Sequence, residues 1–236
     1  MNLQIRERPH PNLLAIANDD IFESEIYRYV PLKYVRGGEL FALLNKNGPF
    51  RADRARDIVS SVAKALMHLH EVIGYAHNDI SLENILMEDD MRTPVVCDYG
   101  LAQKIGSKWD SNKHVSGKLP YQAPEIYSGT ARVASPKADV FSLGVTMFVM
   151  LTGIPPFELP DPLHDMRYKY MQCGRMQELL KLWSLRISNE AVHLLTGMMF
   201  HNPDQRMTIG QVLDHAWFST SSKTSTTTTT TTTAKS

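Results

Sequence analysis

The chain has 236 residues, 25 Lys+Arg against 25 Asp+Glu, and 43% hydrophobic residues. Zero formal net charge gives no electrostatic reason for bulk binding to nucleic acid or to an anionic membrane, and the apolar content suffices for a substantial core in one two-lobed unit. Met1 to Arg6 contains no apolar h-region, and the longest apolar-rich run, Val140 to Leu151, is short and interrupted by Ser142, Gly144 and Thr146, so neither a secretory leader nor a membrane span is expected.

Taken in chain order, Leu13–Ala17 and Ile26–Leu32 read as strands, and Glu39-Leu40-Phe41 begins a short helix. Asp53 to Ile73 is an amphipathic helix, because Ile58, Val62, Leu66, Leu69 and Ile73 recur at steps of three or four. Ile85-Leu86-Met87 and Pro94-Val95-Val96-Cys97 are apolar strands flanking a turn at Asp89-Asp90. Lys137 to Thr152 is apolar on nearly every face and must be buried all round, ending at Gly153 and Pro155-Pro156. Met166–Trp183, Asn189–Met199 and Ile209–Leu213 are further helices, the last opened by Thr208 and Gln211 at capping-box spacing. After Phe218 comes a Ser/Thr tract with uninterrupted Thr226 to Thr233, in which no apolar side chain offsets ordering entropy; a disordered spacer is predicted for 219–236. Cys97 and Cys173 show no ligand or disulfide spacing, which suits a reducing cytosol, with the nucleus also open, and offers no metal site.

Chemistry concentrates in His77-Asn78-Asp79-Ile80-Ser81-Leu82-Glu83-Asn84 and in Asp98-Tyr99-Gly100. Together these put a carboxylate (Asp79), an amide (Asn84) and a second carboxylate (Asp98) on adjoining loops. The two stretches resemble the H-R-D-x-x-x-x-N catalytic loop and the D-F-G motif of eukaryotic protein kinases. Gly117-Lys118-Leu119-Pro120-Tyr121-Gln122-Ala123-Pro124-Glu125 is similar to the end of a kinase activation segment with its A-P-E, and Asp139 to Val145 to the D-V-W-S-L-G-V that opens the central helix of the large lobe. Asn202 to Thr208 resembles the late P-x-x-R-x-T signature, and His10-Pro11-Asn12-Leu13-Leu14 the H-P-N-I-V entering a small-lobe strand. The resemblance covers about Arg8 to Phe218, and the closing His215-Ala216-Trp217-Phe218 is similar to the calcium/calmodulin-dependent group.

The resemblance implies an α+β, protein-kinase-like fold: a small-lobe remnant and hinge over 1–35, a helical large lobe over 36–218, and the tail. It implies ATP and Mg²⁺ as cofactors and a protein serine or threonine hydroxyl as acceptor. Asp79 would orient the hydroxyl, and Asn84 with Asp98 would hold the metal. Leu32 would be the gatekeeper, Lys33 to Gly38 the hinge with Val35 offering backbone groups to adenine, and Leu86 would lie beneath the base. Cys97 would sit near the phosphates, although a small buried strand residue explains it equally. Glu39, near the ribose, and Glu83 would favour a substrate with basic residues near the phosphoacceptor. Glu125 and Arg206 would form a buried structural ion pair.

Three departures matter. The sequence contains no G-x-G-x-x-G and no V-A-I-K, so the phosphate cover, the strand lysine and its helix glutamate are absent, and activity of the chain as it stands is expected to be impaired. Asn78 stands where an arginine usually lets a phosphorylated activation segment lock the catalytic loop, so switching through Ser107, Ser111 or Ser116 should be weak. Ser81 stands where Ser/Thr kinases usually carry a lysine beside the base aspartate, while Lys118 replaces the threonine that normally bonds it. One reading is relocation of the catalytic charge, since a cation about 4 Å from Asp79 is worth roughly 4 kcal/mol at an effective dielectric near 20. The other is decay of the site, leaving a pseudokinase that acts as a binding or scaffold module. A kinase of small molecules fits less well, because the activation segment and A-P-E serve protein substrates. The oligomeric state is left open.

Overall fold

The computed structural model describes residues 2–17, 22–110 and 118–219. Ser111 and Ser116, through which switching is expected to be weak, and the tail from Thr220 on lie outside the described residues. Nine helices and six short strands are described: α1 (Asn2–Glu7), β1 (Phe22–Glu23), β2 (Arg28–Tyr29), α2 (Leu40–Asn47), α3 (Ala52–His68), β3 (Tyr75–Ala76), β4 (Ile85–Met87), β5 (Pro94–Val96), β6 (Gln103–Lys104), α4 (Pro124–Tyr127), α5 (Pro136–Thr152), α6 (Met166–Gln172), α7 (Met176–Leu182), α8 (Asn189–Met198) and α9 (Ile209–Leu213). The strands form three antiparallel pairs, β1 with β2, β3 with β6 and β4 with β5.

The two long helices follow their periodicity. α3 buries Ile58, Val62 and Leu66, then widens into a π-helical turn over Leu69–Ile73 that Gly74 ends in the left-handed conformation at φ 85°. α5 is buried nearly throughout its 17 residues. Its first turn has Pro136, whose missing N–H costs nothing there, and Ser135, whose hydroxyl accepts from the Lys137 amide at 3.2 Å. α3 and α8 both pack on it. At Gly144 an added Cβ would lie 2.8 Å from Met199 Cγ and 3.0 Å from Met198 Cβ, so α8 approaches only because that side chain is missing. Thr208 and Gln211 form the capping box expected of α9.

The Glu125–Arg206 pair is present and bidentate, with Nη1 and Nη2 each 2.9 Å from a carboxylate oxygen. The arginine side chain is fully buried and also donates to the carbonyls of Lys137 and Phe200.

Elsewhere the structure corrects the sequence reading. Leu13–Ala17 is not a regular strand; only single bridges form, Leu13 with Val96 and Ile16 with Leu32. Of Ile26–Leu32 only Arg28–Tyr29 joins a strand pair and Leu32 a single bridge, because the Ser24 hydroxyl accepts from the Tyr27 amide at 2.8 Å and closes a turn that takes up the residues before them. The single helix expected over Met166–Trp183 breaks into α6 and α7 at Gly174, whose φ of 72° no helix contains. The helix α1 carries no evident sequence signal; it is placed by Ile5, which is fully buried in the main core.

Candidate active site

The strand pairing explains why the two motif loops meet. One loop runs from β3 to β4 and the other from β5 to β6; since β3 pairs with β6 and β4 with β5, both loops start and end at the same two places. His77 joins them across the middle. Its Nδ1 accepts from the Asp79 amide at 3.3 Å, so its Nε2 carries the proton and donates to the Cys97 carbonyl at 3.0 Å. Complete burial holds its pKa below the ordinary histidine value despite nearby carboxylates, which keeps this bridging tautomer neutral. A backbone bond from the Cys97 amide to the Asn84 carbonyl, 2.9 Å, ties the loops a second time.

Beneath them lies Asp139 of α5, fully buried. Its Oδ2 accepts from the His77 amide and His70 Nε2, and its Oδ1 from the Asn78 amide, each at 2.7 Å. Burial alone would raise its pKa, but the hydrogen bond and charge of His70 and the backbone donors outweigh it and lower the value, so the carboxylate stays ionised. In the sequence Asp139 is one position of a motif, without a task of its own. The signal was there: a lone carboxylate in an otherwise apolar helix must find donors.

Asp79 is half-buried. Asn84 Nδ2 donates to its Oδ2 and to its backbone carbonyl, both at 2.7 Å, which fixes the carboxylate and commits both amide hydrogens. Burial raises the Asp79 pKa above the ordinary carboxylate value, and the Asn84 hydrogen bond and the Lys118 charge offset it only in part. Asp98 exposes its carboxylate at φ 61°, a left-handed conformation that aspartate tolerates, and accepts from the Gly100 amide at 3.1 Å. Tyr99, where the motif has phenylalanine, sends its hydroxyl to the carbonyls of Leu14 and Val96 at 3.1 and 3.0 Å, so the loop is pinned to the small-lobe segment. Asn78 occupies φ 64°, which asparagine tolerates and arginine does less readily, and its amide donates to the Leu101 carbonyl at 3.2 Å.

Lys118 Nζ donates to Ser81 Oγ at 2.8 Å, a bond the sequence reading did not expect. Its ion pair, however, is with Glu83 Oε2 at 3.1 Å and not with Asp79, which feels it only at longer range. The expectation of a contact cation on Asp79 is corrected accordingly: Glu83, on the same loop, captures the ammonium.

The residues assigned to the base and ribose are only partly gathered. Val35 is buried against Leu14, Val95, Leu86 and Cys97 in a small cluster separate from the main core. Leu32 is 48% exposed, Lys33 is turned to Glu88 Oε1 at 2.7 Å, and Glu39 is exposed at the head of α2 with its backbone bridged to Leu86. Gly37 passes so close to β4 that a Cβ would meet the Met87 carbonyl at 2.3 Å, which fixes the path of the hinge. Burial, then the Asp98 charge, push the Cys97 thiol up to about 11, so it is a protonated strand-end residue. Among the described residues no group of three His, Cys, Asp or Glu side chains is placed to hold a metal ion, and no helix is long and apolar enough to cross a membrane. The Asn84 amide oxygen and the Asp98 carboxylate are nevertheless a donor set of the kind magnesium takes, hard oxygens that leave its other positions to phosphate and water.

Residues 2–218 match the protein kinase domain family. Human serine/threonine-protein kinase DCLK3 is 31% identical over 225 residues, covering 94% of this chain and 33% of that protein. Serine/threonine-protein kinase SRK2C of Arabidopsis thaliana is 32% identical over 210 residues, covering 89% and 60%, and probable serine/threonine-protein kinase 2 of Plasmodium falciparum is 35% identical over 199 residues, covering 84% and 38%. The chain thus spans between a third and three fifths of the length of these relatives. Because the match takes in α1, both motif loops and every helix of the large lobe, the chain belongs to the eukaryotic protein kinase family.

Proposed function

We propose that the chain is the catalytic lobe of a protein serine/threonine kinase that transfers the γ-phosphoryl group of ATP to a protein hydroxyl. The observation that carries this reading is the double donation from Asn84 to Asp79, which fixes one carboxylate oxygen and leaves the other to accept and orient the substrate hydroxyl. Magnesium, which would neutralise phosphate charge during transfer, is assigned to Asn84 Oδ1 and the Asp98 carboxylate. Lys118 supplies the positive charge that Ser81 no longer can, acting on Asp79 through space. Leu86, Val35 and Cys97 are assigned to the base side of the nucleotide, with Leu32, Lys33 and Glu39 at its edge. The unpaired cysteines suit a reducing, intracellular setting.

A second reading, a non-catalytic binding or scaffold module, is favoured by one observation: these residues contain no G-x-G-x-x-G and no V-A-I-K. Titrating ATP with and without Mg²⁺, and assaying transfer to a serine peptide, separates the two. The kinase reading expects magnesium-dependent nucleotide binding that Asp98→Asn abolishes and transfer that Asp79→Asn abolishes. Turnover of the 236 residues alone should fall well below the ordinary kinase range of about 1–100 per second, because phosphate positioning supplies most of this catalysis. No nucleotide binding under any condition would favour the scaffold.

A further inference from the structure

The contact between Lys118 and Glu83 has consequences for substrate choice. Ser81 is fully buried, so its hydroxyl has no water alternative to Lys118, while the Lys118 and Glu83 side chains keep 38% and 27% of their exposure. The pair is therefore half-exposed at the loop that carries Asp79, with the Glu83 Oε2 that faces Lys118 buried. Tyr121 walls it on one side; its hydroxyl bonds the Leu82 backbone, and burial, then the Glu83 charge, raise its pKa. Asp79 and Glu83 share one loop, so a peptide whose hydroxyl reaches Asp79 runs within reach of Glu83. Extended chain advances about 3.3 Å per residue, so residues two or three from the acceptor lie within roughly 7–10 Å of it.

We propose that Lys118 is a specificity-determining residue: it neutralises from within the chain the carboxylate that would otherwise take a basic side chain of the substrate, so this subsite accepts an uncharged one. The inference rests on the protein-kinase reading above. An incoming arginine has to expel an ammonium that is tethered to its partner, and short tethers hold such groups at effective concentrations of about millimolar or more. Expulsion would also leave the Ser81 hydroxyl without its donor in a buried place. Glu83 is thereby removed from the basic-substrate pair, and Glu39, exposed at the head of α2, is the carboxylate that remains for a more distant basic residue.

The test is an NMR titration of the ¹⁵N-labelled 236-residue chain with two serine peptides that differ only in arginine or alanine two residues from the serine. Wild type should bind both within about threefold, and Lys118→Met should shift the ratio toward the arginine peptide by about tenfold. Lys118→Met combined with Glu83→Gln should return it to parity. Lys118→Gln, which can still bond Ser81 but carries no charge, should behave as Lys118→Met does and covers the case in which the methionine variant fails to fold. A wild type that already prefers arginine tenfold, or folded variants whose ratio is unchanged while both peptides bind, overturns this inference alone. Failure of either peptide to bind any folded form overturns the protein-substrate reading and this inference with it.

Discussion

Replacing Glu125, the carboxylate half of the buried pair with Arg206, should destabilise the fold strongly. Its partner Arg206 has no exposed side-chain surface and donates to Glu125 through Nη1 and Nη2, to the Lys137 carbonyl at 2.6 Å and to the Phe200 carbonyl at 3.1 Å, with its guanidinium 5.1 Å from the Phe141 ring. Glu125→Ala leaves this guanidinium buried with only carbonyl dipoles to face. Breaking a buried pair by removing one partner costs about 3–5 kcal/mol. In a domain of this size each kcal/mol moves the midpoint by about 2–4 °C, so a fall of roughly 6–20 °C is expected. Glu125→Leu with Arg206→Met should cost less than the two single changes added, because no stranded charge remains; the residual loss is the unpaired carbonyls of Lys137 and Phe200. Urea unfolding of the four proteins in one cycle gives the numbers directly. A Glu125→Ala loss below about 1 kcal/mol, or strict additivity in the double variant, would refute the account of a charge held only by its partner.

Asp139→Asn should cost about 2–4 kcal/mol, since it removes a charged acceptor of three hydrogen bonds, and should speed amide exchange at His77 and Asn78; unchanged exchange there would deny it the anchoring task. Asn78→Val places a β-branched residue at φ 64° and removes the tie to Leu101, a loss of about 1–3 kcal/mol readable as a lower urea midpoint. Burial holds His77, His10 and His215 below the ordinary histidine pKa. The unfolded chain then takes up protons first as pH falls, so stability should be complete above about pH 6.5 and decline below it, and equal urea midpoints at pH 7.5 and 5.5 would contradict the sign. The amide of Ala17, bonded only to the Pro31 carbonyl beside a single bridge, should exchange far faster than those of Val140 to Leu151 in α5. Equal protection would mean that a further element or another chain covers that segment.

The sequence by itself determined the parts whose information is local. Steps of three and four in α3, the all-round apolar face of α5 and the Thr208–Gln211 cap each act within a turn or two of the chain, and each appears where the residues place it. The motif loops were equally legible, because Asp79, Asn84 and Asp98 lie within one short span and carry their own chemical logic. Tertiary structure decided whatever depends on a distant partner. Leu13 to Ala17 is an apolar run of strand length but finds only single bridges, since a ladder needs a neighbour in register along its whole length. α1 is fixed by the burial of Ile5 rather than by any periodicity. The same holds for charge. Asp139 becomes an anchor because the fold brings two loop amides and His70 to it, and Lys118, on a flexible stem between three acceptors, settles on Ser81 and Glu83 rather than Asp79. Residue type sets what a side chain can bond to; only the packed chain sets which acceptor stands within reach.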